Sequence, residues 1–223
     1  MKRKSLAFCA LAGIILSVSA LLPTNLFCQA TVAWAQSVTP TNSLVWQHVS
    51  RLYLDPYTGK ALYVGYLVHL SGISSSLFSG SPSESTAYFT FSTDVLQLTP
   101  MPSNGNMGLS LVSAGTFNVY YNSAPNGDWN NPSTFSSGKL VATFTRTESL
   151  FPAIGSFGVH NLSESLQSSQ SFIFNGQWMN FNRIAPHGIT FAQFADLTPL
   201  GGVAGYPVSF SAVGSTTAIG TKD

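Results

Sequence analysis

The stretch LVWQHVSRLYLDPYTGKALYVGYLVHL, residues 44–70, decides how the rest of the chain is read. Two apolar runs rich in Leu, Val and Tyr flank DPYTGK, residues 55–60, where Pro56 and Gly59 supply turn geometry. Runs of this composition bounded by turn residues are strand signals, and together they predict a long first hairpin.

Further along, TAYFTFST (residues 86–93) sets Ala87, Phe89 and Phe91 on one face and Tyr88, Thr90 and Ser92 on the other. That is the period of a half-buried strand. GTFNVYY (115–121) and KLVATFTRT (139–147) predict another strand pair. In SFIFNGQWMNF (171–181), Asn175-Gly176 suits a two-residue type I′ turn, because both central positions need positive φ. This turn sets Phe174 opposite Gln177, Ile173 opposite Trp178 and Phe172 opposite Met179.

Helical signals are sparse. HNLSESLQSS (160–169) and TFAQFADLT (190–198) are each compatible with two helical turns, the second with Phe191, Phe194 and Leu197 at helical spacing. Many short strands divided by Gly, Pro and Asn turns predict an all-β fold: an antiparallel β-sandwich, with a closed β-barrel as the alternative and at most one or two short helices. SGISSSLFSGSPSES (71–85) is expected to be an extended loop, and no internal repeat is evident.

Lys2, Arg3 and Lys4 precede an apolar run from Leu6 to Leu22, and Ala33-Trp34-Ala35 is a small-x-small site. These are the parts of a secretory signal peptide, so residues 1–35 are expected to be a cleaved leader and 36–223 a single β-rich domain. The alternatives are an uncleaved membrane anchor and a lipid anchor at Cys28, against which bulky Phe27 argues. Both cysteines, Cys9 and Cys28, lie within the leader, so the mature chain is expected to have no thiol, disulfide or zinc–thiolate site. Export without disulfides fits a bacterial periplasmic, envelope or extracellular protein.

The chain has 9 Lys+Arg and 8 Asp+Glu; loss of the leader leaves 6 against 8 in about 188 residues. This is far below the roughly 25% charge of an average globular protein. A surface built from Ser, Thr, Asn, Gln and Gly offers little charge repulsion against self-association. No basic patch points to nucleic acid, and no transmembrane span is expected after leader cleavage. The C-terminal GSTTAIGTKD has neither apolar tail nor basic cluster, so no sorting segment is expected there.

YYNSAPNGDWNNP, residues 120–132, raises the question of a ligand. Asn126, Asp128, Trp129 and Asn130 are the candidate ligand-binding residues: an indole beside amides can stack on a sugar ring while hydrogen bonds serve its edge. Calcium needs six to eight oxygen ligands, and only Asp128 here is charged, so no metal is assigned and the amides are expected to serve the backbone first. Trp46 and Trp178 are expected in the core. His48 and His69 lie on the two arms of the first hairpin, where they could meet across strands; the other histidines are His160 and His187.

No G-x-S-x-G elbow occurs, and Asp55, Glu84, Asp94, Asp128, Glu148, Glu164 and Asp196 stand singly. No catalytic residue is assigned and no cofactor is expected. RIAPHG (183–188), with Asp196 beyond it, is the segment in which catalysis would be sought first.

GTFNVYYNSAPNGDWNNPSTFSSGKLVATF, Gly115 to Phe144, resembles the strand, amide-rich loop, F-x-x-G and strand pattern of secreted bacterial β-rich proteins of unknown function. The resemblance implies a β-rich exported protein and transfers no site residue. The leading expectation is a non-enzymatic exported β-domain of the cell envelope or extracellular matrix that acts by surface contact or self-association. The alternatives are a carbohydrate-binding module and a hydrolase or isomerase with a site in a barrel mouth.

Overall fold

In the computed structural model, which describes Ala33–Trp34 and residues 39–220, almost every element is a strand. In chain order they are β1 (Ala33–Trp34), β2 (Leu44–Leu54), β3 (Lys60–Leu70), β4 (Phe89–Thr93), β5 (Leu96–Asn104), β6 (Met107–Val112), β7 (Gly115–Tyr121), β8 (Lys139–Arg146), β9 (Ser149–Ile154), β10 (Phe157–Ser169), β11 (Phe172–Phe174), β12 (Gln177–Met179), β13 (Ile189–Val203) and β14 (Tyr206–Ala218). A 3-10 turn occupies Pro132–Ser136, and one helix, α1, spans Phe181–Ile184. The expected leader lies outside the described residues except for Ala33 and Trp34, which pair in parallel with Gln177 and Trp178.

β2, β3, β4, β7, β8, β10, β13 and β14 form a closed eight-stranded antiparallel barrel. The expected sandwich gives way to its alternative because the first and last long strands meet. β14 pairs with β2 from Val208↔Leu54 to Thr217↔Leu44, and β10 pairs with β13, so the ring has no free edge. β5, β6 and β9 continue β4, β7 and β8: β5 rejoins β3 at Ala61↔Leu96, and β9 rejoins β10 at Gly158↔Ala153. Three neighbouring strands are thus interrupted at one level, at residues 94–95, 113–114 and 147–148.

The two helical readings are corrected. Residues 160–169 lie in β10 and 190–198 in β13. In β13 Phe191, Gln193 and Ala195 are buried, while Phe194 is exposed. This is alternation by two, which the helical spacing of Phe191, Phe194 and Leu197 obscures.

The barrel is filled with aromatics. Phe91 and Phe117 stack with centroids 4.7 Å apart, and Trp46 contacts Phe117, Phe144 and Phe181. Burying each such side chain contributes about 1.5–3 kcal/mol. One end is covered by the β11–β12 hairpin and α1, through Phe172 and Phe174 against Phe89 and Phe181 against Trp46. The hairpin has the expected register, with Asn175 and Gly176 at φ 46° and 74°. The opposite end carries the β2–β3 turn.

Candidate functional site

The Asn-rich loop between β7 and β8 folds onto the outside of the barrel. Phe135 and Trp129 join Tyr53, Val64 and Tyr66 in a small outer cluster. Phe135 lies 4.6 Å from the half-buried Trp129 ring, the Arg51 guanidinium sits 4.8 Å from its centroid, and the Tyr53 hydroxyl donates to Trp129 O at 2.6 Å. The amides serve the loop itself. Asn126 Oδ1 accepts from Asn122 and Ser137, and Asp128 Oδ1 accepts from the Asn130 amide. Asn130 also lines an open groove with Leu62, Ser92 and Tyr206. Among the described residues no three His, Cys, Asp or Glu side chains are grouped to hold a metal ion.

His48 and His69 do not meet. An irregularity between Gln47 and His48 sets His69 opposite Gln47, with His69 exposed and His48 buried. The RIAPHG segment does not join Asp196 either: His187 precedes β13, and Asp196 is an exposed residue well along that strand.

Polar side chains gather instead inside the barrel. Alternation along β8 buries Arg146 two positions after Phe144; along β10 it buries His160, Leu162 and Glu164; along β13, Phe191 and Gln193. Register places Glu164 opposite Arg146, and His160 opposite Gln193. All four line one cavity with Tyr63, closed by apolar walls that include Leu52, Leu96, Leu98, Val112 and Phe151. Its volume of about 30 Å³ exceeds what one water requires. Gly158 makes room for the wall, since a Cβ there would stand 2.3 Å from Phe151 Cζ.

Arg146, Glu164 and Gln193 are 3%, 1% and 3% exposed, yet Arg146 Nε, Glu164 Oε2 and Gln193 Oε1 have no hydrogen-bond partner among the described residues. Arg146 Nη2 donates to Ser113 O at 3.3 Å and lies 3.9 Å from half-exposed Asp94, where the three strands are interrupted. Burial pushes the Glu164 carboxyl up to about 8 against the opposing pull of Arg146. Burial, then the Arg146 charge, pushes His160 down to about 4. Deeper in the barrel the Tyr63 hydroxyl is 2.9 Å from His48 Nε2 and 2.7 Å from Ser50 Oγ, and burial lowers His48 to about 3.

At neutral pH the cavity therefore presents a guanidinium, a largely protonated carboxyl, a neutral imidazole and an amide. Ser149 Oγ is 2.7 Å from His160 Nε2. Glu164 lies four residues farther along β10, about 13 Å by strand rise, so these groups do not form a Ser-His-acid triad. Proton donation and recognition of an acceptor group are the available chemistry.

The sequence signal for this site is a polar residue in the inward phase of a strand, as Gln193 is between Phe191 and Ala195. Comparison of the chain with protein-family models, curated proteins and solved structures finds no match.

Proposed function

We propose that the protein takes a small molecule into its barrel, at a mouth-side site equipped for binding and for acid–base chemistry of the isomerase or hydrolase type. One observation carries this reading: Arg146, Glu164 and Gln193 face a single cavity, nearly fully buried, each with an unpaired polar atom. Each such atom costs about 1–3 kcal/mol, and apolar replacements of buried ionic groups are often neutral or stabilising. Stability alone gives no reason to keep three of them together.

The test is a thermal-shift screen of small carboxylic acids, ketones, alcohols and amines against wild type and Arg146→Met, since a ligand that binds only the folded state raises Tm. Compounds that stabilise wild type and lose that effect in the variant support the site. No stabilising compound, or equal shifts in both proteins, removes it. The reading includes export to the periplasm, envelope or exterior; N-terminal sequencing that finds the mature chain uncleaved would refute that part.

A second reading, self-association at a surface, draws on the outer wall. Val159, Phe194, Val213 and Val49 occupy one cross-strand row on β10, β13, β14 and β2, with Phe194 and Val213 64% and 55% exposed. Sedimentation velocity of wild type and Phe194→Ser decides it: a concentration-dependent oligomer lost in the variant supports association, and a monomeric wild type rejects it.

A further inference from the structure

We infer that the ligand of this cavity is an apolar monocarboxylate, its carboxylate held between Arg146 and Glu164 and its chain lying along the Leu52, Leu96, Leu98, Val112 and Phe151 wall. This rests on the internal-site reading and names its ligand class.

Arg146 is a buried cation whose nearest acidic atom, Asp94 Oδ1, is 3.9 Å away on a half-exposed side chain. Glu164, directly opposite on β10, makes no ion pair within 4 Å among the described residues, and burial favours its protonated form. A buried cation without a close counter-ion is costly, and an incoming anion relieves that cost. The unpaired Nε–H of Arg146 is one donor to such an anion, and the protonated Glu164 carboxyl is a second.

An amine would meet the guanidinium with like charge. An alcohol would accept one hydrogen bond but leave the cation uncompensated. A cavity of about 30 Å³ holds little more than the head group, so binding requires the Leu98 and Phe151 side chains of the wall to give way to the tail. Walls of Leu, Val and Phe suit a hydrocarbon chain and offer nothing to a second charge.

Binding is coupled to a proton. The groups disposed around Glu164 are Arg146 on β8, Tyr63 on β3, His48 on β2, His160 on β10 and Gln193 on β13, with Asp94 beyond Arg146. Both histidines are held neutral by burial, so above about pH 6 the carboxyl is the group that changes charge until it ionises near 8. Ionised Glu164 offsets the Arg146 charge across the cavity and repels a second carboxylate.

The experiment is calorimetric titration with hexanoate, 1-hexanol and hexylamine at pH 6.5 and pH 9, on wild type, Glu164→Gln and Arg146→Met. The expected results are hexanoate at least tenfold tighter than hexanol at pH 6.5, a tenfold or greater weakening at pH 9, and loss of that weakening in Glu164→Gln. Arg146→Met should abolish the preference for hexanoate. The pH comparison uses wild type alone, so it stands even if a variant fails to fold. Hexanol or hexylamine binding as tightly as hexanoate, or hexanoate affinity equal at both pH values, overturns the carboxylate inference and leaves the internal site intact. Failure of all three compounds to bind overturns the inference; the internal-site reading falls with it only if the thermal-shift screen is also blank.

Discussion

At the scale of single residues, the barrel interior is shaped as much by missing side chains as by large ones. Gly214 on β14 sits opposite His48 on β2, and a Cβ there would stand 2.6 Å from His48 Cε1 and 2.5 Å from Ala192 O. The imidazole lies across the space that a Cβ would fill and stacks on Phe191 with centroids 5.0 Å apart. Gly214→Ala must move either the ring or the backbone, and overpacking of this kind costs about 1–3 kcal/mol. Gly176→Ala is the contrasting case: no described residue lies within 4 Å of the added Cβ, but φ is 74°, so the penalty of about 1 kcal/mol comes from the backbone. Urea unfolding of both variants should show each loss, and only Gly214→Ala should disturb the His48 environment by NMR. An unchanged midpoint for Gly214→Ala would show that the interior is looser than the contacts require.

At the scale of elements, the amide-rich loop acts as a strap over the β2–β3 wall. Thr90 Oγ1 donates to Phe135 O at 2.7 Å, so β4 is buried on its outer face as well as its inner one. Trp129→Ala removes the ring packed between Phe135 and Arg51. The expected cost is about 1–3 kcal/mol, below the 3–5 of a fully buried aromatic, with proteolysis at the loop accelerated and interior ligand binding unchanged. Equal protease resistance would mean that the strap does not depend on its tryptophan. The first hairpin, the Asn175-Gly176 turn and the β7–β8 pair were legible because turn chemistry and period-two alternation are local signals. The site was less legible. Glu164 and Gln193 fall in segments whose helical spacing competes with alternation, and Arg146 gains its role only when register brings β8 beside β10. Closure of the ring was not legible either, because pairing of β14 with β2 depends on contacts some 170 residues apart, such as Trp46 N with Thr216 Oγ1.

At the scale of the whole molecule, three buried titratable groups make stability depend on pH with opposing signs. His48 and His160 titrate at 6.5 in the unfolded chain and near 3 and 4 in the folded one. Their contribution is complete above pH 6.5 and is lost as pH falls towards those values, because the unfolded chain then binds protons that the folded barrel refuses. Glu164 runs the other way. Its carboxyl titrates at 4.5 unfolded and about 8 folded, so its contribution is complete below 4.5 and drains away as pH rises to 8. Two rising contributions outweigh one falling one up to pH 6.5, and beyond that the carboxyl acts alone. The urea midpoint should therefore peak at about pH 6.5 and fall at a similar slope on both sides, towards pH 8 and towards pH 4.5, with the acid limb steepening below about pH 4.5, where the Glu164 contribution is already complete. In Glu164→Gln the alkaline fall should vanish while the acid limb remains. Persistence of that alkaline fall in the variant would place its origin outside the barrel and remove Glu164 from the set of groups that hold a proton in the folded interior.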